Sequence, residues 1–350
     1  MGNVQGHVFA SVSVCSVYLI YVHIYCAHKA LKTNVLYFDK LPSFVYLYVK
    51  YWFRSLTRRE GCLYAAHATT DSQAVYTVLN CRLKAALLRR FCSVAGYGWD
   101  YPDTEYRDIP LCCPVFLCGR LILMLLTDEK FRLRPTGLIC VRQSLKTLQP
   151  IDELKKGPFM LQVQVLGYQQ TDAGVEVDIS LSATSRSGCP VWESVLTLLS
   201  KTKLHKSSSC LSKNALTSEM EENNAENVKQ IELRVPRSAG LLGSFSDCCP
   251  HWLVSLPAMF FSFRSQRAPS LWMLSVCLAE IEKHKGVAII TAPVTVTAQF
   301  KEPPLIPGKV TIRFCEETKN ADQSSARSLS FYMTQRGCSL SHMVGLISRS

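Results

Sequence analysis

The spacing of hydrophobic positions changes along this chain. Residues 8–26 are an apolar run of 19 residues with no formal charge and one histidine, His23. A bilayer core takes about 20 such residues in a helix. His28, Lys29 and Lys32 follow at once. The run predicts an N-terminal apolar helix with three readings: a single membrane anchor, a signal peptide, or a helix packed on the rest of the protein. The anchor is preferred, because the charged start and the small-x-small cleavage site of a signal peptide are both missing. The cations downstream favour a cytosolic body. Residues 41–59 are rich in aromatics, with Lys50 in the middle and a basic end. They read either as a segment lying at a membrane interface or as a helix covering part of the domain. Residues 109–127 form a third apolar run. Pro110 and Pro114 suit a helix entry, so this run predicts a buried core helix.

A period of two then takes over. Residues 137–148, 159–168, 175–185 and 191–200 alternate apolar and polar, as where Met160, Gln162 and Gln164 alternate with Leu161, Val163 and Val165. Asp172-Ala173-Gly174 marks a turn between two of them. The pattern predicts an antiparallel sheet. Residues 201–227 are polar and read as a linker. The same order returns afterwards, with a helix expected over 258–283 and strands over 287–292, 294–300, 308–316 and 328–335. One long helix followed by antiparallel strands, twice, is an α+β arrangement. It divides the chain into an apolar segment (1–35), an N-terminal domain (36–205), a linker (206–228) and a C-terminal domain (229–350).

Charge and cysteine usage narrow the function classes. The net charge is +12, and the excess is spread along the chain rather than gathered in one patch. That argues against nucleic acid and favours a membrane surface or a phosphorylated small molecule. The chain has 16 cysteines at irregular spacing, with adjacent pairs at Cys112-Cys113 and Cys248-Cys249 and no Cys-x-x-Cys. They read as buried small hydrophobes in a reducing compartment, neither a disulfide framework nor a metal site. The expected location is membrane-associated, on the intracellular reducing side.

Several local strings carry a resemblance. In the first half they are Ile109-Pro110-Leu111 with Pro114, then Thr127-Asp128, Phe131, Gly137-Leu138-Ile139 with Val141-Arg142, and Val191-Trp192-Glu193-Ser194. In the second half they are Asp247-Cys248-Cys249-Pro250, Phe263-Arg264, Ala268 to Trp272, Phe300-Lys301, Pro304 and Leu305-Ile306-Pro307-Gly308. Over about residues 36–350 the chain resembles the MaoC-like dehydratases of the hot-dog superfamily, as a divergent member. The resemblance implies a double hot-dog, with two antiparallel sheets each wrapped on a long central helix. It also implies an acyl-thioester ligand, no cofactor, no metal, and an arrangement compatible with a homodimer.

The family's active motif reads roughly Gly-Asp-x-Asn-Pro-x-His, with a later Ala-His-Gly at the start of the central helix. Laid on this sequence, its Asp is Asp247, its Asn is Cys249 and its His is Trp252, with His251 one residue early. The later His-Gly becomes Pro269-Ser270. Hydrating an enoyl thioester needs a base for the water, a proton donor for the alpha carbon and an oxyanion site. Trp252 has only an indole donor. His251 substitutes if the loop slips by one residue, with Asp247 as its partner; otherwise His251 is an ordinary histidine and Asp247 a cap or turn carboxylate. Ser270 keeps a backbone N–H at a helix start, and Pro269 suits the first turn. Three function classes stay open: a (3R)-hydroxyacyl-thioester dehydratase or trans-2-enoyl-CoA hydratase, a catalytically inactive acyl-CoA or lipid-binding relative, and a membrane-tethered interaction protein.

Overall fold

The computed structural model describes residues 13–14, 17–18, 21–65, 74–98, 109–202, 228–236, 239, 266–317, 328–335 and 341–349. A helical turn, Tyr21–Tyr25, runs into α1 (Cys26–Leu31). Then come β1 (Val35–Tyr37), α2 (Phe44–Thr57), β2 (Val75–Cys81), α3 (Ala85–Ala95), α4 (Cys113–Leu117) and α5 (Gly119–Leu126). Strands β3 (Leu138–Thr147), β4 (Phe159–Thr171), β5 (Gly174–Thr184) and β6 (Pro190–Lys201) close the first half. The second half holds β7 (Lys229–Val235), β8 (Gln266–Arg267), α6 (Ser270–Lys285), β9 (Val294–Phe300), β10 (Leu305–Ile306), β11 (Gly308–Glu317), β12 (Ser328–Gln335) and β13 (Ser341–Arg349).

Eleven strands make one sheet in the order β1-β2-β4-β5-β6-β3-β9-β13-β12-β11-β7, and β8 with β10 makes a small separate ribbon. Among the described residues only the β1–β2 pairing is parallel. The halves meet at β3 and β9, paired from Arg142↔Gln299 to Thr147↔Val294. The sheets of the two halves thus join edge to edge into one. Their facing edges would expose unpaired backbone groups, and pairing them removes both edges.

Other expectations change in detail. The buried helix over 109–127 is two short helices, not one long one. They meet at Cys118, whose amide still bonds the Pro114 carbonyl (3.0 Å) and whose carbonyl accepts from the Ile122 amide (2.9 Å). The path is a kinked helix with Pro114 in its first turn. Residues 287–292 are not a strand: Val287–Ile290 is a short helical turn. Four uniform apolar residues carry no period by which to separate strand from helix. β1, β2, β7 and β13 had no expected counterpart. α6 begins at Ser270, and residues 258–265 lie outside the described residues. No helix among the described residues is long and apolar enough to cross a membrane. Much of the apolar run over 8–26 lies outside the described residues.

The core sits between the helices and one face of the sheet. Leu121 to Leu126 are all buried, as is every residue from Leu271 to Glu282. α5 is apolar all round over this stretch and must be enclosed, whereas α6 is enclosed although it carries Ser275, Glu280 and Glu282, with Glu280 paired to Lys283 at 2.6 Å. The sheet supplies the other wall through Leu161, Val163, Val177, Ile179 and Leu181, all essentially inaccessible. Its outer face carries Gln162, Gln164, Ser180, Ser182 and Glu193, which form a shallow polar depression. Period-two alternation thus places β4 and β5 with the correct faces in and out. The β4–β5 turn fixes the register at Gly174, whose φ of 147° and contact with the Ser200 carbonyl leave no room for a Cβ.

Of the eleven described cysteines, six are buried. Burial pushes the thiols of Cys81, Cys92 and Cys112 from 9.0 up to about 12. The unfolded chain ionises these groups near 9.0, whereas the folded chain holds the protons until about 12. Their contribution to stability is full below the lower value and is lost as pH rises through the upper one. Urea titrations should show stability falling above pH 9.0, by on the order of 1 kcal/mol per pH unit per thiol. A triple Cys→Ala variant at these positions should show a flatter alkaline limb; an unchanged limb would refute the assignment.

Candidate active-site cleft

A cleft of about 240 Å³ opens at the seam between the halves. Its origin is a mismatch of strand length. β3 stays paired with β6 as far as Leu138↔Ser200, but its pairing with β9 stops at Arg142↔Gln299. Beyond that point the β9 side of β3 is free, and Leu138, Ile139 and Cys140 line the opening. A β-bulge between Cys140 and Arg142 sets their direction. Without it, Leu138 and Cys140 would share a face with Arg142, which points outward and pairs with Glu176 at 2.7 Å.

The other walls come from helices. α5 contributes Ile122 and Leu126, and α2 contributes Tyr51. The Tyr51 hydroxyl donates to the Pro135 carbonyl (3.2 Å), and burial pushes its phenol up to about 12. The second half contributes Pro269, Ser270 and Met273 from the start of α6, with Phe300 and Lys301 from the end of β9. The β8–β10 ribbon and the bond from the Ala268 amide to the Pro304 carbonyl (2.9 Å) hold that helix start in place.

Pro269 is the N-cap of α6, with extended backbone at φ −64° and ψ 148°. Ser270 is the first helical residue. Its amide has no acceptor within the helix, and the positive end of the helix dipole lies at the cleft. This sixteen-residue helix carries Lys283, His284 and Lys285 in its last turn, which suit its negative end. The Ser270 side chain is hydrogen-bonded to the Cys140 thiol. Burial pushes that thiol up to about 12, outweighing the opposing bonds to Ser270 and to the Arg142 backbone. A thiol so disposed stays protonated and is no nucleophile near neutral pH.

The structure thus brings Pro269 and Ser270 to the cleft. Asp247, Cys249, His251 and Trp252 lie outside the described residues. Among the described lining residues there is no carboxylate and no imidazole. No cluster of metal-ligating side chains occurs among the described residues either. Sequence reasoning missed Cys140, Tyr51, Met273 and Lys301. Cys140 sits in a strand whose alternation the bulge reverses, so its side could not be read from spacing. Tyr51 was one aromatic among many.

Solved structures share this architecture. HtdX of Mycobacterium tuberculosis matches with a TM-score of 0.53 at 16% identity, over 78% of this chain and 98% of its own. A MaoC-like dehydratase from Phytophthora capsici matches with a TM-score of 0.54 at 12% identity, over 79% and 95%. The chain shares the fold of these solved structures. The full-length peroxisomal multifunctional enzyme type 2 from Drosophila melanogaster shares it at 12% identity and a TM-score of 0.53, over 79% of this chain and 48% of its own. Neither a family model nor a curated protein matches the sequence. In this fold the cleft lies where the two halves join, with the N-terminus of α6 at its wall.

Proposed function

We propose that this chain is a divergent relative of the MaoC-like dehydratases that holds an acyl thioester in the seam cleft. The observation that carries the reading is the composition of the cleft. Its walls are mainly aliphatic and aromatic, and its few polar groups include those of Ser270, Cys140 and Lys301. An apolar slot suits an acyl chain, a helix N-terminus suits the thioester oxygen, and a lysine suits a coenzyme phosphate. The fold shared with named dehydratases supports the same reading.

Hydration or dehydration of the bound acyl group rests on Asp247 and His251, because the described lining offers no base. The alternative is a binding protein that keeps the pocket without the chemistry. Trp252 where the motif has its histidine, and Pro269-Ser270 where it has His-Gly, favour that alternative. The full chain should be assayed for hydration of trans-2-enoyl-CoA beside Asp247→Asn and His251→Ala, with acyl-CoA thermal shift measured in parallel. Turnover lost in both variants establishes the hydratase. A raised melting temperature without turnover establishes the binding protein. Neither turnover nor a shift refutes the proposal.

A further inference from the structure

α2 is apolar on two opposite faces. One face is buried, through Phe44, Leu47 and Ser55, and its half-buried Tyr51 closes part of the cleft. The other is solvent-exposed, with Val45 at 49%, Val49 at 62%, Trp52 at 41%, Phe53 at 67% and Leu56 at 80%. At about 100° per residue these five fall within about 100° of arc, a complete apolar stripe. A soluble helix places polar residues there.

The neighbouring segment repeats the feature. The Tyr21–Tyr25 turn lies against α2, and the His28 ring and the Tyr46 hydroxyl share a hydrogen bond of 3.1 Å. Val17, Tyr18, Tyr21, Ile24 and Tyr25 are all exposed. The charges along this stretch are mostly positive, although Asp128 and Glu129 lie near Lys50 and Arg54. Up to Arg59 the sequence holds seven Lys or Arg and a single acid, Asp39. Lys29, Lys32, Lys40 and Arg59 are exposed.

We infer that the outer face of α2 docks on an anionic lipid surface, lying in the interface without spanning it. An apolar stripe carrying Trp and Phe, flanked by lysines and arginines, has the chemistry of an interfacial helix. The positive excess favours this occupant. A second copy of the chain would bring two basic rims together, whereas anionic headgroups neutralise them. Because the inner face of the same helix lines the cleft, docking would set the cleft beside the bilayer from which an acyl ligand comes. That last step rests on the acyl-thioester reading; the docking itself does not.

The test uses the full chain and vesicles of phosphatidylcholine with phosphatidylserine, against phosphatidylcholine alone. Lipids brominated on their acyl chains should quench tryptophan emission, and Trp52→Phe should remove most of that quenching. Trp192 and Trp272 are core residues beyond the reach of lipid. A Phe53→Glu/Leu56→Glu variant should keep the wild-type melting temperature and lose vesicle affinity by at least about tenfold. Three results would overturn the inference: no binding to the anionic vesicles, binding without Trp52-dependent quenching, or a solution dimer that Phe53→Glu dissociates. Vesicle binding by a chain that ignores acyl-CoA would uphold the docking and sink only the acyl reading.

Discussion

Trp192→Ala is expected to cost about 3–5 kcal/mol of stability, among the largest effects of any single substitution in this fold. Trp192 is fully buried on β6, opposite Thr147 on one side and Ala183 on the other. Its indole N–H donates to the Leu111 carbonyl at 3.0 Å. Leu111 leads directly into α4, so this bond ties the sheet to the start of the kinked helix. Removing the side chain leaves a large cavity and an unpaired buried carbonyl at once. Trp192→Phe separates the two losses. It keeps most of the volume and removes only the donor, so about 1–3 kcal/mol is expected. Chemical denaturation of both variants, with an unchanged slope, would check the figures. Equal stabilities for Trp192→Phe and wild type would show that the indole N–H is not the tie.

This residue also shows what the sequence makes legible. Val191-Trp192-Glu193-Ser194 is recognisable as a strand because a buried apolar pair is followed by an exposed acid. The same logic places β3 to β6 and three of the strands in the second half. It fails for β7, where Lys229, Gln230, Glu232 and Arg234 leave too few apolar positions. β7 is an edge strand, and a polar edge is what an exposed ladder needs. It fails for β13 because Gly345 breaks the apolar set. That glycine lies where a side chain would collide with the Phe331 ring. Such losses come from tertiary contacts that no local window contains.

The site was legible to a different depth. Pro269 and Ser270 could be placed at a helix start by alignment to a motif, and the structure puts them at the mouth of the cleft. The β3 wall could not be placed, because it depends on where β9 stops pairing and on a bulge one residue long. Both are properties of the seam between two halves. Neither half alone contains them.

The sharpest test of the cleft is Ser270→Pro. The substitution removes one hydrogen-bond donor, the amide at the first position of α6, together with a hydroxyl. Proline is tolerated at that position because the amide has no partner within the helix. The preceding residue must then be extended, and Pro269 already is, at ψ 148°. Stability should therefore change by less than about 0.5 kcal/mol. Acyl-CoA affinity should fall roughly tenfold, as expected for one lost hydrogen bond to the thioester oxygen. Any enoyl-CoA hydration should fall by about 10²–10³, because an oxyanion contact strengthens as charge develops. Ser270→Ala is the control: it deletes the hydroxyl and its bond to Cys140 but keeps the amide, so affinity should stay near wild type. If the alanine and proline variants bind alike, the amide does not touch the ligand. The dipole of α6 then acts only within the fold, and the ligand's polar contact must be assigned to Lys301 instead.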